Sequence, residues 1–292
     1  MLIVVSPAKA LDFSSPLPTK KHSQPRMLED TTHLVEVLRR KQPHELAAMM
    51  NISSKLAELN RQRFADWSLP LTPQTARPAL LAFTGDAYQA IDASNTFDQR
   101  DYTHAQKTLR ILSGLYGVLR PLDLIQPYRL EMNSRLSTQQ GRNLYEFWGE
   151  RITRLLETDL QSAPGAKAIL NLASKQYFQV VQPAKIGGRI ITPAFLDGKL
   201  RSSPTAKTTK TASDQTDRLE KAAEMPSPTA EMIIKEPRTI GFHAKRARGA
   251  MAAWMIRNRI KTINKISEFN GLGYSYDTKR STTLNPVFVR WQ

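Results

Sequence analysis

The stretch from Ile111 to Met132 constrains the fold of this chain most strongly, because it joins a core-forming run directly to a stiff polar loop. Apolar residues dominate its first half, where Gly114 and Gly117 permit close backbone approach or a positive φ. In the second half, Pro121 and Pro127 stiffen the backbone and disfavour helix at the residues that precede them. The pattern predicts buried core that ends in a constrained loop.

Four charged residues project from that loop, and the sequence leaves two interpretations of them open. The charged set is Arg120, Asp123, Arg129 and Glu131. In the first interpretation the charges pair with one another and tie the loop to the body of the protein. In the second, the arginines clamp an anion and one of the two carboxylates acts as a catalytic base. Both remain open at this point.

A short β-branched run at Leu2–Val5 predicts a buried strand that ends before Pro7. The loop after it carries Ser6 and Lys9. Ligands of open α/β sheets gather at the carboxyl ends of strands, so Lys9 is a candidate anion ligand or catalytic residue. The alternative is an ordinary surface lysine.

Further strands are predicted over 78–83, 168–173 and 190–196, the last as an edge strand because Pro193 interrupts it. Asp86 follows the first of these strands. It is either a site residue that faces Lys9 or the N-cap of the next helix. A long amphipathic helix is also predicted over 143–160.

The net charge makes polyanions the first partners to consider. Forty-two Lys and Arg outnumber 26 Asp and Glu, which gives +16. The chain has no cysteine, which excludes disulfides, thiolate nucleophiles and thiol-based peroxide sensing. We find no apolar run long enough for a membrane span and no signal peptide, so we expect a cytoplasmic protein without a membrane partner.

A predicted helix over 243–260 carries the strongest local charge. Between Glu236 and Glu268 there are eight basic residues and no acidic one. A solvated helix face normally mixes both signs, so this bias favours binding of phosphate. The candidate phosphate ligands on this helix are Lys245, Arg246, Arg248 and Arg257.

Two regions differ in character from the rest of the chain. Residues 27–67 show three short amphipathic patterns, which predict a helical subdomain. Residues 199–236 are rich in Ser, Thr, Ala, Lys and Pro and have almost no core-forming residue. Their composition predicts a disordered insertion or tether.

Three motifs resemble the bacterial peroxide stress resistance protein YaaA family. They are SPAKALDF at 6–13, SGLYGVLRPLDLIQPYRLEM at 113–132 and FHAKRARGAM at 242–251. The resemblance runs from Met1 to about Leu200 and again from about Lys235 to Arg290. It implies a cytoplasmic protein with a single α/β domain and a positively charged cleft, which binds DNA and limits damage from unincorporated iron under peroxide.

The resemblance also implies a helix-hairpin-helix element, which would grip the DNA backbone through turn amides and helix N-termini. Residues 52–64 match it best. Glu58 stands where a hairpin glycine is expected and would repel phosphate. Three ordinary packed helices are the alternative.

Together these observations predict one α/β domain over residues 1–292, with a mixed central sheet, surrounding helices and a positively charged cleft. The leading functional hypothesis is a peroxide-stress protein that binds double-stranded or structured DNA without sequence preference, through Lys9, Arg120, Arg129 and the basic helix. The alternative is an enzyme that acts on a phosphorylated or nucleotide-like ligand in the same cleft. Its candidate catalytic residues are Lys9, Asp86, Asp123 and Glu131. Because the five histidines are scattered, we expect no metal site, and we expect no cofactor.

Overall fold

The computed structural model describes residues 1–201 and 233–292. Its strands are β1 (Leu2–Val5), β2 (Ala10–Leu11), β3 (Arg77–Pro78), β4 (Phe83–Thr84), β5 (Leu109–Ser113), β6 (Gly117–Leu119), β7 (Leu124–Ile125), β8 (Ala168–Asn171), β9 (Arg189–Ile191), β10 (Ala194–Arg201), β11 (Ile233–Arg238), β12 (Ser275–Tyr276) and β13 (Val287–Trp291). Its α-helices are α1 (Leu28–Arg39), α2 (Pro43–Met50), α3 (Ser54–Asp66), α4 (Ala79–Ala82), α5 (Asp86–Ile91), α6 (Ala93–Thr96), α7 (Gln99–Thr108), α8 (Leu144–Trp148), α9 (Arg151–Ser162), α10 (Lys175–Phe178) and α11 (Gly241–Arg257).

The central sheet has five strands in the order β6-β5-β1-β8-β9. Strand β1 pairs in parallel with β5 and β8, and β9 extends the parallel part beside β8. Strand β6 folds back antiparallel on β5, so the sheet is mixed. All four side chains of β1 are buried, as expected for a strand covered on both faces. The predicted α/β fold with a mixed central sheet and surrounding helices is confirmed.

A second sheet has the order β11-β10-β13-β12. Its inner face is aromatic, with Phe195 stacked on Phe288 at a ring-centroid distance of 5.5 Å. One continuous cluster of buried apolar side chains includes residues of both sheets. The single edge strand predicted over 190–196 is therefore two strands in different sheets. Pro193 separates them, because proline has no N–H to donate to a ladder.

Two other predicted elements are wrong in their details. The predicted strand at 78–83 is mostly the helical turn α4, because a short, fully buried apolar run has no periodicity that separates helix from strand. The predicted helix at 143–160 is divided into α8 and α9. Gly149 lies between them with φ +48°, a conformation that favours glycine and interrupts a helix.

Residues 27–67 form the three helices α1, α2 and α3. A three-residue turn, 51–53, joins α2 to α3, and Asn51 adopts the left-handed conformation there. Glu58 lies within the continuous helix α3, so there is no hairpin turn at that position. A helix-hairpin-helix function for α2 and α3 stays a prediction.

The predicted insertion at 199–236 lies mainly outside the described residues. Its two ends belong to the second sheet, where β10 and β11 pair antiparallel up to Arg201 and Ile233. Composition alone does not predict these strand ends, because strand pairing depends on residues that are distant in sequence. The disordered insertion predicted between them lies outside the described residues.

Candidate functional site

A cleft of about 450 Å³ opens at the carboxyl ends of β1 and β8. Because these neighbouring strands run parallel, the loops that follow them meet at one edge of the sheet. Helix α5 and the basic helix α11 close the opposite side. The polar and charged residues that line the cleft are Ser6, Lys9, Thr84, Asp86, Tyr88, Glu131, Ser174, Gln176, Lys245 and Arg248.

Hydrogen bonds fix the loop after β1 to its neighbours. The Ser174 amide donates to Ser6 Oγ at 2.9 Å, and the two hydroxyls lie 3.3 Å apart. The Tyr88 hydroxyl donates to the Ser6 carbonyl at 2.9 Å. Burial raises the pKa of the Tyr88 hydroxyl well above its usual value, so it remains a neutral donor. These hydrogen bonds link Ser6 to Ser174 and Tyr88, which also line the cleft.

Glu131 lies between two cations on one wall of the cleft. Its Oε2 is 3.0 Å from Lys9 Nζ, and its Oε1 accepts a bond of 3.1 Å from Arg129. A close backbone approach positions this segment, since a Cβ at Gly114 would lie 2.4 Å from the Leu130 carbonyl oxygen. The side chain of Lys9 remains 64% exposed, so it can reach a ligand.

Helix α11 forms the opposite wall because it packs very closely on α5. A Cβ at Gly249 would lie 2.0 Å from the Ala87 carbonyl oxygen, so only glycine permits this contact. Lys245, one turn before Gly249, and Arg248, the residue directly before it, both line the cleft. Neither side chain forms an ion pair with an acidic residue within 1–201 or 233–292.

Arg248 is the cation that burial affects most in the cleft. Burial lowers the pKa of its guanidinium below the ordinary value. Arginine still carries its charge at neutral pH, so the site holds a partly desolvated cation with no carboxylate partner among the described residues. An anion in the cleft would relieve this electrostatic cost.

Comparison with known proteins identifies the relatives of this chain. A family sequence model described as "Peroxide stress protein YaaA" matches residues 1–213 and 212–280. A UPF0246 protein of Burkholderia mallei is 42% identical over 291 residues, which cover 99% of this chain and 98% of that protein. A UPF0246 protein of Idiomarina loihiensis is 42% identical over 290 residues, with the same coverage of both chains.

The chain belongs to the peroxide stress protein YaaA family. This membership assigns it a stress-related role. All three motifs that carry the resemblance contribute to the cleft of this YaaA family member, through Lys9, Glu131 and the first turns of α11. The cleft is thus the part of the fold where the characteristic sequences meet.

The structure brings together five of the predicted site residues and leaves others elsewhere. Lys9, Asp86, Glu131, Lys245 and Arg248 line the cleft. Arg129 lies behind Glu131, and its Nε is buried without a hydrogen-bond partner in the described chain. Arg129 therefore influences the cleft indirectly, because it binds the Glu131 carboxylate and fixes its position.

Arg120 and Asp123 form a closed pair away from the cleft-lining residues. Arg120 approaches Asp123 to 2.8 Å, and Asp123 is fully buried and also accepts a bond from Ser23. This arrangement corresponds to the interpretation in which loop charges pair and tie the loop to the body. It gives Asp123 no access to a ligand in the cleft.

Arg246 and Arg257 also lie off the cleft lining. The Arg246 guanidinium lies over the Phe242 ring, 5.7 Å from its centroid. Arg257 ends α11, about 18 Å along the axis from Lys245 at 1.5 Å per residue. The basic helix therefore contributes two of its four predicted ligands to the cleft.

Gly249 and Gln176 are cleft residues that the sequence reasoning missed. Gly249 had a signal, because a glycine inside a helical pattern often has a packing reason. Gln176 had none. Within 1–201 and 233–292 there is no group of three or more His, Cys, Asp or Glu that could hold a metal ion, and no helix could span a membrane.

Proposed function

We propose that this protein acts in peroxide stress by binding DNA through backbone phosphates, with Lys245 and Arg248 as principal ligands. The supporting observation is the partly buried Arg248 guanidinium, which faces a cleft and has no carboxylate partner among the described residues. A phosphate oxygen would supply the missing counter-charge and accept its hydrogen bonds. We also propose that the protein acts in the cytoplasm.

Phosphate recognition of this kind is independent of base sequence. Phosphate contacts fix the position of a protein on DNA but do not read base edges. Lys9, in the loop after β1, would add a further phosphate contact beside α11. We therefore propose double-stranded or structured DNA as the partner, bound without sequence preference.

The same contacts account for protection from iron. Cations condense around DNA, and Lys and Arg side chains displace them when they neutralise phosphates. Ferrous iron held in that layer would be displaced with the other cations. Hydroxyl radicals from iron and peroxide would then form farther from the DNA. This links the proposed binding to damage from unincorporated iron without a metal site in the protein.

DNA titrations with Arg248→Ala, Lys245→Ala and Arg257→Ala test the proposal. We expect the first two variants each to lose between about tenfold and about 150-fold in affinity, since a charge-assisted hydrogen bond contributes roughly 1.5–3 kcal/mol and every 1.4 kcal/mol is about tenfold. The slope of log K against log salt should fall by about one unit for each lost phosphate contact. Arg257→Ala is the matched control on the same helix and should retain most of the affinity.

Two outcomes would contradict the proposal. The first is that the wild-type protein binds no duplex at about 50 mM salt, where phosphate contacts are strongest. The second is an equal loss in all three variants, because a general effect of charge does not require the cleft. In a plasmid-nicking assay with ferrous iron and peroxide, protection should follow the order of DNA affinities.

An enzyme that acts on a phosphorylated or nucleotide-like ligand is the second candidate. Glu131, positioned by Lys9 and Arg129, and the Ser6–Ser174 hydroxyl pair are more functional groups than backbone binding requires. The Lys9→Ala variant distinguishes the two candidate functions when its DNA affinity is measured in vitro and its peroxide protection is measured in cells. Intact DNA affinity with lost peroxide protection would favour the enzyme, and parallel loss of both favours binding alone.

A further inference from the structure

Phe242 is an exposed aromatic residue at the start of α11 that the core does not explain. It is the second residue of the helix, and 51% of its surface remains accessible. A single exposed aromatic side chain is common on protein surfaces and by itself indicates no role. Whether Phe242 has a role therefore depends on what surrounds its ring.

Helix geometry places Phe242 on the same face as the cleft. With 100° per residue, Lys245 lies about 60° around the helix axis from Phe242, and Gly249 lies about 20° from it. Gly249 contacts α5 inside the cleft, and Lys245 lines the cleft one turn closer to Phe242. Phe242 therefore extends this face beyond the cleft, about 4.5 Å along the axis from Lys245.

The surroundings of the ring are cationic and aromatic. The Arg246 guanidinium lies 5.7 Å from the ring centroid, and the His243 ring packs against it edge-to-face at 5.7 Å. These neighbours restrict the ring while one large part of it remains exposed. An acidic protein surface would interact with the positive charges around Phe242 but would not need its ring. A nucleotide fits both features, because its phosphate can contact the charges while its base stacks on the ring.

We propose that Phe242 is a stacking platform for an unpaired DNA base, whose strand is held by Lys245 and Arg248 in the adjacent cleft. This inference rests on the proposed function and deepens it. Paired bases in a duplex are stacked on their neighbours and cannot cover the ring. Stacking therefore gives a preference for single strands and bubbles over perfect duplex.

The test compares Phe242→Ala, Phe242→Trp and Leu284→Ala on three DNA probes of equal length: single strand, duplex with a central bubble, and perfect duplex. We expect Phe242→Ala to lose about tenfold in affinity for the first two probes and less than about twofold for the duplex. Phe242→Trp should retain the wild-type affinities. Leu284, which is 43% exposed on the loop before β13, is the control for loss of an apolar surface residue.

A fluorescent base gives a direct signal. The fluorescence of 2-aminopurine in the bubble should fall when wild-type protein stacks on it and should change little with Phe242→Ala. Equal losses by Phe242→Ala on all three probes, or no loss on any, would overturn the stacking inference while the binding proposal survives. If wild-type protein binds none of the probes, both are wrong.

Discussion

Replacing Gly249 with alanine should lower the free energy of unfolding by about 2–3 kcal/mol, although alanine is the better helix former by about 1 kcal/mol. The reason is the contact between α11 and α5. The new Cβ would lie 2.0 Å from the Ala87 carbonyl oxygen and 2.8 Å from its carbonyl carbon. Backbone atoms cannot rotate aside as a flexible side chain can, so the two helices must separate. The clash then outweighs helix propensity.

Separation of the helices should also affect function, because α11 carries Lys245 and Arg248 and α5 begins at Asp86. We expect Gly249→Ala to weaken DNA binding by at least the amount lost in Arg248→Ala. Chemical denaturation and DNA titration measure the two effects on the same sample. Gly241→Ala is the matched control on the same helix, since its Cβ would have no atom within 4 Å. If Gly249→Ala instead has a higher free energy of unfolding than the wild type, then the α11–α5 contact is not as close as described.

The parts of this fold that are predictable from sequence are those with a strong local pattern. Strand β1 is a β-branched run that proline ends, and α11 is rich in Ala, Met, Lys and Arg, which favour a helix. The run at 78–83 has no such pattern. Its helical turn depends on tertiary partners, because Ala79 and Leu80 donate their amides to the Asp123 and Pro121 carbonyls.

The candidate site was predictable as a set of residues but not as an arrangement. Lys9 follows a strand and Arg248 belongs to a cation-rich helix, and each has a local signal. Their convergence depends on the contact of Gly249 with α5, which lies more than 150 residues earlier in the chain. The same limit applies to the loop charges. Spacing alone could not show that Asp123 is fully buried beside Arg120, whereas Glu131 faces the cleft.

Asp159→Ala should lower the free energy of unfolding by about 3–5 kcal/mol. Asp159 of α9 accepts two bonds of 2.7 Å from Arg26 and a third from Arg110 of β5. The Arg110 side chain is only 5% exposed. Removing the carboxylate therefore leaves a buried cation without a counter-charge, although its Nη1 still donates to the Gln106 and Leu109 carbonyls. This costs far more than the loss of an exposed surface pair.

The pH dependence follows from the same cluster. Burial by itself raises the pKa of the Asp159 carboxyl, but the bonds from Arg26 and Arg110 outweigh it and lower the pKa below the ordinary value. Because the folded pKa lies below the unfolded one, the stabilisation is present above about pH 4 and is lost as the pH falls through the folded pKa. Denaturation curves of wild type and Asp159→Ala should therefore converge at acid pH.

Two further variants separate the buried charge from other effects of the substitution. Glu150 forms exposed pairs with Arg154 and Lys185, so Glu150→Ala should leave the denaturation midpoint unchanged. Asp159→Ala combined with Arg110→Met should recover much of the lost stability, because removal of both charges leaves only Arg26 without its carboxylate, and the Arg26 side chain is 27% exposed. If the double variant is no more stable than Asp159→Ala, then the loss arises from the cavity or from the freed Arg26, and the buried cation is not its cause.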